Sequence, residues 1–269
     1  MLPDAQKVMQ IMQEAAKTLI TPRFRQLRDD EIKEKSPGDF VTIVDLEAEK
    51  YLKENLTSLV PGSLVVGEEE VESNPKTLER LNGDAPVWLL DPLDGTGNFA
   101  RGRKPFAVIV AYCERRETQM GWIHDVVTGE TIWAAKGQGC WAGEKRLKLQ
   151  APRLLKDMRG SLSKNLAMRL KAVLGGPQST RRLRCVGRDY IDLAMGNLDF
   201  ARYSYCLKPW DHAAGVLLHS EAGGYNHLIK EGRPYHPDLM PTQAIVNDEV
   251  MLLAPDMGTI EVITSMLTE

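Results

Sequence analysis

A chain of 269 residues, 43% hydrophobic and 26% charged, suffices for one large domain or two halves sharing a core, and its composition is that of a folded globular protein. Its net charge of -3 excludes a general attraction to nucleic acid or to an anionic membrane. An acidic surface also repels phosphate esters, so a phosphate substrate would need cations recruited at its site.

Residues 1–27 contain Asp4, Lys7, Glu14 and Lys17 and no unbroken apolar run, so neither a signal peptide nor a membrane anchor is expected there, and the expected compartment is the cytoplasm. Cys113, Cys140, Cys185 and Cys206 form no CxxC pair, which points to buried thiols in a reducing compartment. Val8, Ile11, Met12, Ala15, Ala16 and Leu19 recur at helical steps and predict a first amphipathic helix ending near Pro22. A second helix is predicted after Asp45, with Leu46, Glu49, Tyr51, Leu52 and Leu56 at helical intervals and Pro61 closing the segment. Strands at 63–66 and 87–90 lead into Gly67-Glu68-Glu69-Glu70 and into Asp91. Runs at 106–112, 120–124 and 131–135 predict an antiparallel meander, and the glycines of 137–143 a hairpin turn, since no Lys-Ser/Thr or helix follows them as a phosphate loop requires.

Past Pro152 the pattern alternates, with strands expected at 159–163, 182–186 and 199–203 and helices at 166–174 and 189–195. Further helices are expected at 211–222, stopped by Gly223-Gly224, and at 258–267. A β-meander half to about residue 150, followed by an α/β half over 151–269, is the organisation this implies.

The chemistry concentrates in Asp91-Pro92-Leu93-Asp94-Gly95-Thr96. Two carboxylates three residues apart leave a strand and need a turn to converge, and converging carboxylates repel unless a cation lies between them. Alone, the segment reads equally as a surface β-turn. Glu68 follows another apolar strand and by itself belongs to a solvated charge run; Asp211 heads an apolar helix and by itself reads as an N-cap. Three acidic elements at the ends of buried segments favour a shared site for magnesium.

Gly67-Glu68-Glu69, Asp91 through Phe99, Trp210-Asp211-His212-Ala213-Ala214 and Glu221-Ala222-Gly223-Gly224, with Asp39-Phe40-Val41-Thr42 and Asp45 upstream, resemble the signatures of the inositol monophosphatase family in order and spacing. The resemblance implies a mixed α/β (α+β) fold with layered αβαβα sugar phosphatase architecture, an antiparallel sheet in the N-terminal half and a smaller mixed sheet in the C-terminal half. It implies two or three Mg2+ ions held by Glu68, Asp91, the Leu93 carbonyl, Asp94 and Asp211. Glu68 and Thr96 would orient the attacking water, with Thr96 passing polarisation to Asp45. Asp94, Gly95, Thr96, Gly187, Arg188, Ser204 and Asp211 would contact the substrate, and Lys35 matches a basic residue of a mobile loop with its spacing off by one. Hydrolysis of inositol-1-phosphate, lithium sensitivity and a homodimer are also implied. The alternatives are a fructose-1,6-bisphosphatase or another sugar or nucleotide phosphatase, and a transcription antitermination partner.

Where inositol-specific members carry a glutamate six residues before the motif tryptophan, this chain has Ser204, and a serine cannot accept two hydroxyl donors as a carboxylate does. Arg181, Arg182, Arg184 and Arg188 form a basic cluster nearby that reads either as a solvated rim or as a contact for a second anion.

Overall fold

Strands without alternation are buried on both faces, and residues 87–90 and 107–113 carry that pattern. Val87 and Leu89 pack into one core while Trp88 and Leu90 enter another; Ala107, Ile109 and Ala111 likewise face away from Val108, Val110 and Tyr112. A sheet built around them therefore needs helices on both sides. The computed structural model describes residues 2–172, 176–177, 179–204, 207–237 and 249–268. Tyr205, Cys206 and the expected helix end at 173–174 lie outside the described residues.

In chain order the elements begin with α1 (Ala5–Ala15), capped by the Asp4 carboxylate and continued as a wider turn to Ile20, then the hairpin β1 (Ile32–Ser36) and β2 (Asp39–Thr42). Next come α2 (Ile43–Leu59), β3 (Leu64–Gly67), α3 (Glu68–Ser73), β4 (Val87–Asp94) and α4 (Thr96–Ala100). The meander follows as β5 (Ala107–Glu114), β6 (Glu117–Asp125), β7 (Thr131–Ala135), β8 (Gly139–Ala142) and β9 (Lys145–Leu147). The remainder is β10 (Arg159–Ser161), α5 (Lys164–Ala172), β11 (Ser179–Arg181), α6 (Val186–Ala194), β12 (Phe200–Ser204), α7 (Pro209–Glu221), β13 (Tyr225–Leu228), β14 (Val250–Ala254) and α8 (Met257–Thr268).

Seven strands, β3 to β9 in sequence order, form the large sheet, antiparallel except for the β3–β4 pair. Five strands ordered β11-β10-β12-β14-β13 form a mixed sheet. Helices α1 and α2 cover one face of the large sheet, and α6 and α7 are sandwiched between the two sheets. The outer face of the small sheet, carrying Phe200, Leu252 and Ala254, packs on α5 and α8. That is the αβαβα layering.

Four expectations shift. Helix α2 starts at Ile43, because Thr42 caps it through the Val44 N–H, so Asp45 lies inside the first turn; Leu46 is exposed. Residues 182–186 are not a strand: Arg184 has φ of +56°, which breaks an extended run, and the strand lies just before it in β11. Helix α6 begins at Val186 rather than 189. Asp211 is not an N-cap; Lys208 holds that place and Pro209 takes the first helical position, so Asp211 is third in α7. The hairpin β1–β2 and strands β13 and β14 had no predicted counterpart. Among the described residues no helix is long and apolar enough to cross a membrane.

Helix α7 is brought close to the large sheet by Gly121, where an added Cβ would lie 2.8 Å from the Ala214 Cα. Backbone cannot swing aside as a side chain can, so Gly121→Ala is expected to cost about 1–3 kcal/mol of stability in a denaturant titration.

Candidate active site

The strand β4 continues through Asp94 instead of ending at a turn. Asp91 pairs with Ile109 and Asp94 with Ala107, so three steps on β4 oppose two on β5. One extra residue, a β-bulge, brings side chains three apart to the same face, as the chemistry requires. Gly95 then adopts φ of +88°, and a Cβ there would meet the Pro105 carbonyl oxygen at 3.1 Å, so glycine is required on both counts. Asn98 ties α4 down by donating to the Pro105 and Leu183 carbonyls at 2.9 and 3.0 Å.

Glu68, at the start of α3, and Asp211, from α7, reach Asp91, with one oxygen of each within 4.8 Å of the others. Asp91 is 2% exposed. Burial, then Glu68, Asp94 and Asp211, push its carboxyl well above the usual range. Burial does the same to Asp211, which also shares a hydrogen bond with Asp91. Asp94 stands beside this trio and is held by the first turn of α6: Gly187 N–H donates to Oδ2 at 2.7 Å, Val186 N–H to Oδ1 at 3.1 Å, and the Cys185 thiol approaches Oδ2 at 2.9 Å. Burial raises Asp94 to about 6, against the pull of those donors.

Asp45 is 1% exposed. Its Oδ2 accepts from the Thr42 hydroxyl at 2.6 Å and the Thr42 N–H at 2.8 Å. Its Oδ1 lies 2.9 Å from Thr96 Oγ1, which is also 2.8 Å from the Leu93 carbonyl oxygen. One hydroxyl proton serves one of these acceptors at a time. Burial raises Asp45 to about 6.

Two residues escaped the sequence reading. Lys208 places its ammonium 2.8 Å from Glu68 Oε1, with only 17% of the side chain exposed. Its signal was a basic residue three positions before Asp211, in the otherwise largely apolar stretch 206–214. Glu49 accepts the Glu69 and Glu70 N–H groups at 2.9 Å each, capping α3 from α2. Gly67 makes room for it, since a Cβ there would fall 2.4 Å from that carboxylate. Lys35 sits 3.2 Å from Glu69 Oε1 and 3.8 Å from Glu72 Oε1, one shell outside the trio.

A cavity of about 180 Å³ is lined by Glu68, Asp91, Leu93, Asp94, Gly95, Thr96 and Asp211. A second, of about 330 Å³, shares Asp94, Arg184 and Asp211 with it and adds Arg182, Arg202 and Ser204. Arg202 donates to Ser204 Oγ at 3.2 Å. The expected arginine cluster therefore divides. Arg182 and Arg184 face this second cavity; Arg181 is taken by Asp189 and Asp192, and Arg188 by Asp125 and Asp192. Arg188 thus lines neither cavity, because two carboxylates hold its guanidinium elsewhere. Gly187 lines neither of these two cavities, and its N–H is on Asp94. A larger depression of about 490 Å³ between residues 145–153 and the end of α6 holds no group of converging carboxylates.

A family model described as the inositol monophosphatase family matches residues 4–260. The chain belongs to that family. Its members are metal-dependent phosphoric monoester hydrolases, and this chain is an enzyme of that class. It is 34% identical over 225 residues to an inositol-1-monophosphatase of Caulobacter vibrioides, covering 77% of this chain and 83% of that one. It is 28% identical over 225 residues to a fructose-1,6-bisphosphatase/inositol-1-monophosphatase of Thermotoga maritima, covering 81% and 84%. It is 31% identical over 204 residues to the Nus factor SuhB of Vibrio cholerae, covering 71% and 72%. The solved Thermotoga maritima IMPase TM1415 shares the fold, with a TM-score of 0.79 at 20% identity over 97% of this chain and 96% of that one.

Proposed function

We propose that this enzyme hydrolyses a small phosphorylated alcohol with Mg2+ as cofactor, two or three ions per site, and that inositol-1-phosphate is its first candidate substrate. The observation that carries this reading is the convergence of Glu68, Asp91 and Asp211 within 4.8 Å, from three separate elements. The donor set fits the cation: hard carboxylate oxygens, few enough to leave coordination places for water and phosphate. We assign Glu68, Asp91 and the Leu93 carbonyl to one ion, and Asp91, Asp94 and Asp211 to another. Bound there, the ions would activate water and neutralise charge gathering on the phosphate and on the leaving oxygen.

The protein's own share is positional. Asp45, fixed by Thr42, accepts the Thr96 proton, which leaves the Thr96 oxygen to accept a proton of the attacking water. Glu68 orients the same water for in-line attack. Backbone N–H groups of Gly95 and Thr96, at the start of α4, are assigned to the phosphate oxygens. No histidine nucleophile is required: His212 and His219 are buried, at 2% and 0% exposure, and His212 Nδ1 is 2.9 Å from the Tyr190 hydroxyl.

A sugar bisphosphate such as fructose-1,6-bisphosphate is the second reading. It is favoured by Arg182, Arg184 and Arg202 around the adjoining cavity, since guanidinium groups recognise a further anion better than hydroxyls. A screen of inositol-1-phosphate, fructose-1,6-bisphosphate, histidinol phosphate and adenosine 3′,5′-bisphosphate tests both. Hydrolysis is expected with Mg2+, lost with EDTA and restored by added Mg2+. Undiminished turnover after exhaustive chelation would sink the reading, and the preferred substrate chooses between inositol phosphate and bisphosphate.

Residues 1–150 and 151–269 are proposed as two halves sharing one core, with the site between them, in a cytoplasmic, lithium-sensitive homodimer that does not engage membranes. The relative named Nus factor SuhB motivates a separate reading, contact with the transcription machinery independent of hydrolysis, although the net charge of -3 supplies no attraction to nucleic acid. Assaying Asp94→Asn for both activities separates the two roles.

A further inference from the structure

We infer that the Lys208 ammonium is a tethered counter-cation that occupies the Glu68 arm of the acidic cluster and competes there with the divalent ion, so that this side chain sets the cation affinity of the site. The inference rests on the cluster being a cation site. It adds a residue that no ligand assignment contains.

Nζ of Lys208 lies 2.8 Å from Glu68 Oε1 and 4.0 Å from Glu72 Oε1, and 5.5 Å from the centre of the Trp210 ring. Its backbone is pinned. Lys208 is the N-cap of α7, its carbonyl accepts the Asp211 N–H at 3.1 Å, and Pro209 follows. The side chain is free to move where the backbone is not, because four flexible carbons carry a compact point charge. Lys35 is not a substitute: it feels the Glu68 charge, but its ammonium is paired with Glu69 at 3.2 Å and Glu72 at 3.8 Å, while Lys208 is the one in hydrogen-bond contact with Glu68.

In the metal-free protein the carboxylates of buried Asp91 and Asp94 and half-buried Glu68 and Asp211 repel one another, and among the described residues Lys208 is the cation paired with one of the trio. An ion that takes Glu68 must displace the ammonium from the same oxygen or suffer repulsion from it at short range. Either way the divalent ion binds less tightly than it would to a bare cluster. The gain is a cluster that stays assembled between metal-loading events.

Magnesium titrated calorimetrically into wild type, Lys208→Met and Lys208→Arg at about pH 7.5 tests this. Lys208→Met is expected to bind Mg2+ at least about tenfold more tightly than wild type, and Lys208→Arg to stay near wild type, because the charge persists. Metal-free Lys208→Met should melt below wild type, with the gap closing in Mg2+. A residue needed only for shape would weaken binding when replaced, so the direction of the change decides. If Lys208→Met does not fold without metal, Lys208→Gln, close in length and uncharged, carries the same expectation. Equal or weaker binding by the neutral variants overturns the inference while leaving the cation site intact. A wild type that takes up no Mg2+ overturns the cation site and the inference together.

Discussion

Asp91→Asn is expected to lower hydrolysis on the order of a thousandfold while leaving the metal-free protein at least as stable as wild type. The two effects have one cause. Asp91 feels the charge of every other member of the cluster: Glu68, Asp94 and Asp211 each raise its pKa after burial has done so. An ionised Asp91 is therefore a source of repulsion in the empty site and, on the proposed assignment, the shared ligand in the loaded one. Asparagine keeps the side-chain shape and one carbonyl oxygen, so the bond from the Leu93 N–H, 3.0 Å from Asp91 Oδ1, survives. Initial rates with saturating Mg2+, beside melting curves in EDTA, read the two effects separately. A variant that loses activity because it is unfolded in EDTA would show that Asp91 is needed for the fold, and repulsion among the carboxylates would not be its main effect. A variant that keeps full activity would remove Asp91 from the chemistry.

How much of this was legible depended on whether neighbours in sequence or neighbours in space made the feature. Apolar runs such as Val87–Leu90 and 107–113 announced the central strands because burial on both faces leaves no alternation to misread. The three acidic segments announced the site because each follows or opens a buried element. What the sequence did not display was tertiary. The bulge that aligns Asp91 with Asp94 is a property of the β4–β5 register, and a turn was the natural local guess. Arg188 and Arg184 look alike in the chain, yet only the placement of Asp125 and Asp192 diverts the first from the cavity. Lys208 was passed over because its partner, Glu68, is 140 residues away. Glu49 read only as one of the residues at helical intervals after Asp45, because the N–H groups it caps belong to α3.

Without metal, melting temperature is expected to fall steadily from about pH 5.5 to pH 8.5, and to recover at pH 8.5 on adding millimolar Mg2+. The groups responsible are carboxylates raised by burial: Glu69 to about 8, Glu49 to about 7, and Asp45 and Asp94 to about 6. A carboxyl whose folded pKa exceeds its unfolded one binds its proton more tightly when folded. Its contribution is whole below the unfolded value and is lost as pH rises through the folded value. Glu49 and Glu69 are thus still ionising above pH 6.5, and Asp91 and Asp211, raised by burial in the same direction, add to the loss. The buried histidines act in the opposite sense without reversing the slope. His212 and His219 are held neutral, at about 3 and about 4, so below pH 6.5 the unfolded chain takes up a proton on each that the folded one refuses, fewer than the folded chain holds on Glu69, Glu49, Asp45 and Asp94. Each histidine costs up to about 1.4 kcal/mol per pH unit. Glu70 and Asp192, lowered by their arginine and lysine partners against burial, matter only at more acidic pH. Above pH 6.5 a net loss of a few kcal/mol corresponds to about 5–10 °C for a chain of this size. Mg2+ favours the ionised cluster and binds only the folded state, so it acts where the carboxylates have lost their protons. Calorimetric scans at three pH values, with EDTA and with Mg2+, measure all of this. A metal-free melting temperature that climbs steadily from pH 6.5 to 8.5 would mean that these carboxylates are not paying a burial cost, and the electrostatic picture of the site would fail with it.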